Sequence, residues 1–440
     1  MILTEVTFDS VMYRVSNEPL ALEHWWTPKI SVFDPFQYQM EAQHGGYCQI
    51  AFGSIEFTPD FFDSSNVNTW PPPITGDLVI RFTDTTEAAA EELFQGKIHL
   101  SSFTRETVTY DVYGGYDSIN LLEIEDIDYD ENESPIPRAF GAVTYVQPLR
   151  LPDILTAPTY HKGYMLGSKE TNWHVYDDGV DICSNVTDNG DGTFKLSAVP
   201  VGQVSISGIG TDSTLAEIVE WACGASYLNL TYNGTYARNP SPSLNHWATS
   251  QTPITQFLSE ICAYFSHIFY IRGTTLYLVD TKINNGSRII TEFDYMPSEY
   301  NYNPPVSVIK TVWQYREAGE WRDKTGGGSG AVYVKETDHE VSVISIYPYG
   351  EEMEVNCFQE NHDNILTALN DILDMVEKPM CNLKMPLTAS PVLPGEKVLF
   401  QDTSLQSTTE IWIRARNITY DFDNYEVTVS GEGEIYIPET

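Results

Sequence analysis

Residues 390–433 read SPVLPGEKVLFQDTSLQSTTEIWIRARNITYDFDNYEVTVSGEG, and this stretch decides the fold class. It opens with the turn dipeptide Pro394-Gly395 and a short apolar run. Ile411, Ile413 and Ala415 then alternate with Trp412, Arg414 and Arg416. The parity slips at Asn417, after which Ile418, Tyr420 and Phe422 occupy the apolar positions. Asp423-Asn424 reads as a two-residue turn, and Tyr425, Val427 and Val429 return. Period two on both sides of a short turn is a hairpin with one buried face. The slip implies a bulge or bend, the device that curls a sheet into a barrel.

Working outward, the chain has 440 residues, too many for a single core, and three or four domains are expected. Residues 1–150 are β-rich: Phe52, Ile55 and Phe57 precede a turn-rich run, Trp70-Pro71-Pro72-Pro73 interrupts any ladder, and Val79 to Phe82 resumes a strand. In KIHLSSFTRETVTYDVYGG, Val108, Tyr110 and Val112 alternate with polar residues, a barrel or sandwich pattern. Residues 151–210 read as a small β insertion of short strands joined by Gly-Asp turns.

Residues 211–300 change period. Thr214 and Glu217 form a capping box ahead of the stripe Leu215, Ile218, Val219 and Ala222. Thr252 as N-cap with Pro253 at the first helical position introduces Ile254, Phe257, Leu258, Ile261 and Phe265. A hairpin about Gly273 follows, so this segment is an α+β unit. Residues 301–440 hold strands, the flexible run 326–330 (GGGSG), and a helix predicted over 360–378 with Ile365, Leu369, Ile372, Leu373 and Val376 on one face. The fold class is therefore α+β, mainly β, and multidomain.

The balance of 24 Lys+Arg against 62 Asp+Glu gives a net charge of −38, which disfavours neutralising nucleic-acid phosphates or an anionic membrane face. Solubility in salt explains acidity of this kind without any further role. No basic and apolar leader opens MILTEVTFDS, so no secretory signal is expected. The longest apolar run, 261–271, is about half a membrane span, so no membrane-spanning segment is expected. Six widely spaced cysteines contain no CxxC; Cys223 and Cys262 fall on apolar helix faces and read as reduced core residues.

Catalytic signals are weak. There is no GxSxG, the 326–330 run lacks the Lys-Ser/Thr and helix of a phosphate cradle, and His339-Glu340 has no second His at helical spacing. His161 and His174 are the most suggestive metal pair, but thirteen residues separate them. His267 reads as a core or interface residue. Thr187, Asn189, Asp191 and Gly192 start like a calcium loop, but Ala198 stands where the bidentate acid belongs, so 188–192 reads as a turn. Acid pairs such as Asp126 with Asp128 or Glu351 with Glu352 are too numerous to mark a glycosidase, and the acidic run 123–133 reads as a solvated loop. No catalytic residue, cofactor or metal ligand is assigned.

The order of parts (GSIEFTPDFF and WPPP, a β insertion, TPITQFLSEICAYFSHIFYIRGTTLYLVD, then LPGEKVLFQD and ITYDFDNYEVTVSGEG) resembles the central baseplate hub, or tail tip, protein of long-tailed phages and gene-transfer-agent particles. The resemblance spans nearly the whole chain and rests on the order and style of its segments. It implies a homotrimer in which two tail-tube-like barrels per chain, at 1–150 and 301–440, present six copies to a six-fold tube. It further implies a virion protein, made in the host cytoplasm, that closes the tail tube and gates DNA exit without binding DNA specifically. Its partners would be tail-tube and distal tail proteins, the tape measure protein, and tail fibre or tip proteins. No coiled coil, spike or lysozyme-like module is read after Gly433, so any cell-puncturing or wall-cutting activity is expected to belong to another chain or to be absent. A host-binding, carbohydrate-binding tail adhesin, a distal tail protein and a cell-wall hydrolase are the alternatives.

Overall fold

The computed structural model describes residues 2–16, 20–22, 24–42, 45–62, 71–83, 86–114, 135–151, 158–163, 165, 167–282, 288–291, 296–301, 306–319, 331–342, 351–359, 361–376, 378, 380–387, 392–402 and 409–436. The runs 123–133 and 326–330 lie outside the described residues. Among those described, no helix is long and apolar enough to cross a membrane.

The C-terminal hairpin forms as its periodicity predicts. Strand Thr409–Asp421 pairs antiparallel with Glu426–Tyr436, and the register shifts between Ala415 and Asn417, so the parity slip is a bulge. Ile413, Ala415, Ile418, Tyr420, Val427 and Val429 are buried. The turn differs from the two-residue reading. The last pair is Asp421 with Glu426, leaving a four-residue loop with Tyr425 in the left-handed region at φ 56°. Two side chains account for this. Phe422 turns inward onto Phe33, ring centroids 5.4 Å apart, and the Asp421 carboxylate accepts from the Asn424 backbone N–H at 3.0 Å and from its side-chain amide at 2.7 Å.

This hairpin belongs to an eleven-stranded sheet assembled from three distant parts of the chain. Strand Phe36–Ala42 pairs antiparallel with the bulged strand, Tyr38 opposite Ile418. Its neighbour Gly45–Phe52 pairs parallel with His267–Arg272, which forms a hairpin with Thr275–Asp280. An N-terminal hairpin is thus inserted between two elements that follow it by more than two hundred residues. A nine-stranded sheet built from the first segment packs against this one. A single core holds Phe57, Phe61, Phe62, Phe94 and Tyr110 together with Tyr270, Leu383, Ile413, Tyr420 and Val429. Strands within 2–112 and 381–429 therefore share one hydrophobic core.

The insertion has its own. Two four-stranded sheets, one containing Trp173–Asp177 and Val204–Ile209, the other Thr159–His161 and Thr193–Leu196, enclose Trp173, Val175, Phe194, Leu196 and Ile206.

Helix α1 (Leu215–Ala222) carries the expected capping box. Helix α2 (Ile254–Tyr264) does not use Thr252 as a side-chain cap: Pro253 holds the cap position, and the Thr252 hydroxyl bonds back to the Ser250 carbonyl at 3.3 Å. Helix α3 (His362–Val376) starts at Asn361, whose side-chain oxygen accepts from the backbone N–H groups of Asp363 (2.9 Å) and Asn364 (3.2 Å). Its apolar face covers Ile309 and Val341 of a three-stranded sheet.

Phe36 packs against Tyr38, Phe94 and Tyr420, at the junction of the first and last segments. Phe36→Ala should cost about 3–5 kcal/mol. Hydrogen exchange should then rise together in the 75–112 strands and the 409–436 hairpin while 173–209 stays protected. Exchange confined to one of the two segments would contradict a shared core.

Candidate functional site

The seam around the inserted hairpin is tightly constrained. Gly45 and Gly46 adopt φ of 141° and 101°. A Cβ on Gly45 would stand 2.5 Å from the His267 carbonyl oxygen, and one on Gly46 2.7 Å from Ser259 Oγ, so only glycine lets this strand approach α2. Tyr47 N–H donates to Ser259 Oγ at 3.0 Å, and Tyr47 stacks on Phe269 at 4.8 Å. On the other side, the bulge residue Asn417 accepts from Met40 N–H at 2.9 Å. The irregularity that bends the C-terminal strand also ties it to the N-terminal hairpin.

Two buried ionic groups flank this seam. Arg416 and Glu432 are ion-paired across the C-terminal hairpin, 4% and 6% exposed. Burial works against the Arg416 charge, and Glu432 is its counter-ion. The second group joins the helix-hairpin unit to α3. Arg238 forks onto Asp280 (2.8 and 3.2 Å) and reaches Asp371 at 3.0 Å, and Lys282 pairs with Asp371 as well. Burial raises the Asp280 carboxyl, but the Arg238 bonds outweigh it and hold it below the usual carboxylate range. A cavity of ≈ 300 Å³ lies beside this group, with Lys282, Lys378, Lys397 and Arg414 in its wall along with Asp374 and Glu432. The lining therefore carries two more positive than negative side chains in an acidic chain.

The histidines fall in different places. His267 is fully buried; its Nδ1–H donates to the Phe265 carbonyl at 2.8 Å, and Nε2 has no partner among the described residues. The Nδ1 atoms of His339 and His362 lie 2.9 Å apart, at hydrogen-bond distance. Glu340 lies within 3.9 Å of Lys310, and Glu352 within 2.9 Å of the same ammonium, while Glu351 stands on the same strand as Glu352. His161 lies in the sheet opposite His174, in register with Leu149 and Thr193. The near neighbours of His174 are Asp181 and Cys183, which sequence spacing does not single out. In the 188–192 stretch, Asp188 and Asp191 accept backbone N–H bonds from Gly190 (3.0 Å) and Thr193 (2.9 Å), as in a turn. Cys223 and Cys262 are free and buried.

Exposed apolar side chains gather in two places. One is the nine-stranded sheet and its loops, with Val11, Met12, Ile74, Phe103 and Trp25, the last 62% exposed. The other is the insertion tip, where Val201 is 90% exposed. The tip is held rather than loose: the Asp177 carboxylate accepts from the Val201 and Gly202 N–H groups at 2.7 and 2.8 Å, and Asp178 from Gln203 N–H at 2.8 Å.

No protein-family model and no curated protein sequence matches the chain. Solved structures are similar to it. The 43 kDa tail protein of prophage MuSo2 from Shewanella oneidensis shares 11% identity over 98% of this chain and 98% of its own, with a TM-score of 0.49. A tail protein from Neisseria meningitidis MC58 shares 9% over 98% and 96%, TM-score 0.45. A chain from the virion of a native gene transfer agent particle shares 9% over 71% and 87%, TM-score 0.45.

Burial pushes the His267 pKa down to about 4, and His246, packed between Phe257 and Phe358, likewise to about 4. A base depressed by folding contributes fully above its unfolded value near 6.5 and loses that contribution as pH falls towards 4. The urea midpoint should drop between roughly pH 7 and pH 4.5, and His267→Gln should flatten part of the drop. A level profile over this window would refute the assignment of neutral buried imidazoles.

Proposed function

We propose that this chain is a structural component of a tail-type particle, acting as a ring-forming hub at the end of the tail tube. The observation that carries the reading is the fusion of two curled sheets about one core through the inserted 36–52 hairpin. A chain built this way offers two tube-like β units at a fixed mutual angle. A trimeric ring of such chains would present six units to a six-fold neighbour, whereas a flexibly linked pair would not hold the match. The resemblance in segment order points the same way. On this reading 1–150 and 301–440 supply the two tube-facing units, and the insertion projects from the ring.

The contacts such a ring needs are also available. The apolar side chains exposed around Trp25, Ile74 and Phe103, and the anchored Val199 to Val201 tip, suit subunit or neighbour contacts rather than solvent. Tail-tube, distal tail, tape measure and fibre or tip proteins are the proposed partners, with DNA passing through unbound. The role is assembly and gating; peptidoglycan zymograms with and without divalent ions should be blank.

The test is copy number and charge placement in the assembled particle. Imaging of particles, with mass measurement of the isolated protein, should give three copies about a three-fold axis. Acids should outnumber Lys and Arg on the channel wall, because an attractive wall would hold the duplex and slow its passage. Six copies in a six-fold ring would favour the distal tail protein reading. Binding of glycans or host cells by the isolated chain would favour an adhesin. A channel lined by Lys and Arg would remove the role given to the −38 charge.

A further inference from the structure

The insertion brings three different donor side chains to one point. Strands Trp173–Asp177 and Val180–Asp181 are joined by Asp178-Gly179, both with positive φ (48° and 80°), the two-residue turn that suits a tight hairpin. That register sets Tyr176 opposite Asp181. The chain then bends through the short 3-10 turn Cys183–Asn185, which returns Cys183 towards His174. His174 Nδ1 lies 3.0 Å from Asp181 Oδ2, and donor atoms of His174, Asp181 and Cys183 all lie within 4.8 Å of one another.

We propose that His174, Asp181 and Cys183 form a divalent transition-metal site whose donor set selects zinc. One imidazole nitrogen, one carboxylate oxygen and one thiolate sulfur are all zinc ligands, at bond lengths of about 2.0–2.3 Å, which places tetrahedral donors roughly 3.3–3.8 Å apart. The His174 to Asp181 separation of 3.0 Å is that of a hydrogen-bonded pair; a metal ion would widen it by a few tenths of an ångström and draw in the Cys183 sulfur, which lies within 4.8 Å of both. Hard cations such as calcium prefer all-oxygen shells and are excluded by the thiolate and imidazole.

The surroundings fit. Asp181 Oδ1 accepts from the Cys183 N–H at 2.8 Å, which orients the carboxylate and leaves Oδ2 for the metal. Lys169 Nζ donates to the carbonyls of Cys183 (2.9 Å) and Val186 (2.8 Å) and pins the turn. Cys183 is buried while Asp181 is exposed and His174 half-buried, so a bound ion would have its fourth position open towards solvent. On binding, the thiol gives its proton to solvent, and the imidazole carries its proton on Nε2 and leaves Nδ1 to ligate. All three donors lie within ten residues of one hairpin, so the site needs no second chain.

The experiment uses the full-length, untagged, reduced protein. With zinc, one equivalent should survive gel filtration; with cobalt(II), a thiolate-to-cobalt charge-transfer band should appear. Cys183→Ser should abolish the band, and His174→Ala and Asp181→Asn should each weaken zinc binding by ~10-fold or more. His362→Ala should leave both readouts unchanged, which separates this site from the His339 and His362 pair. If the substitution at buried Cys183 unfolds the insertion, His174→Ala, at a half-buried strand position, decides. Millimolar calcium should not compete. Failure of the wild type to retain zinc, or retention equal in wild type, His174→Ala and Asp181→Asn, would overturn the proposal.

Discussion

The architecture depends on the close approach of Gly45-Gly46 to α2 and to the start of the His267–Arg272 strand. With no Cβ at either position, the strand Gly45–Phe52 can lie parallel to His267–Arg272 and also pair with Phe36–Ala42. That hairpin in turn accepts the bulged C-terminal strand. Without the approach, the N-terminal sheet and the C-terminal hairpin would each expose a face that now lies in a common core. A side chain at Gly45 would meet backbone, the His267 carbonyl, so no rotamer change could relieve it.

Polar groups at the same seam specify its register. Met40 N–H finds its acceptor in the side chain of the bulge residue Asn417. Sliding either strand by one residue would separate that pair and turn the buried faces outward. Arg416 and Glu432 act in the same sense. A buried ion pair adds little net stability compared with an apolar pair of similar size, yet separating its partners leaves an uncompensated charge at a cost of about 3–5 kcal/mol. The Arg238, Asp280, Asp371 and Lys282 group does this between α3 and the helix-hairpin unit. Each junction between distant segments is thus held by apolar packing for stability and by a matched polar contact for alignment.

Local elements were legible in the sequence because their causes are local. The period-two run with its slip gave the bulge at Asn417, and Thr214 with Glu217 gave the capping box of α1. The turn at 422–425 was misread because Phe422 is drawn to Phe33, nearly four hundred residues earlier, a contact that turn chemistry cannot announce. The pairing of 36–52 with both 267–272 and 409–421 was illegible for the same reason. The only hint was the adjacent pair Gly45-Gly46 ahead of a strand, which marks close backbone approach but does not name the partner. The cluster of His174, Asp181 and Cys183 was missed because its spacings of seven and two match no helical or knuckle motif. The Asp178-Gly179 turn was the available signal: once it is read as a tight hairpin, Asp181 must return alongside the strand that bears His174.

The separate core of the insertion gives the molecule two mechanical levels. The body is cross-linked by strand pairing over long sequence distances, so its sheets cannot move apart without breaking many backbone bonds at once. The insertion connects to it through neighbouring backbone bonds, Gly141 N–H to the Asp212 carbonyl at 2.7 Å and Gly210 N–H to the Gly141 carbonyl at 2.7 Å, beside the Arg138–Phe140 strand paired with His246–Ala248. Among the described residues its core gathers twelve buried side chains, and it meets the body at Ala139, Trp247 and the strand Ala142–Val146, which runs beside Val306–Gly319. A unit attached in this way can change its exposed tip, or gain and lose a stabilising ion, without disturbing the shared core. That separation lets one part of the chain meet variable surroundings while the other keeps a fixed geometry.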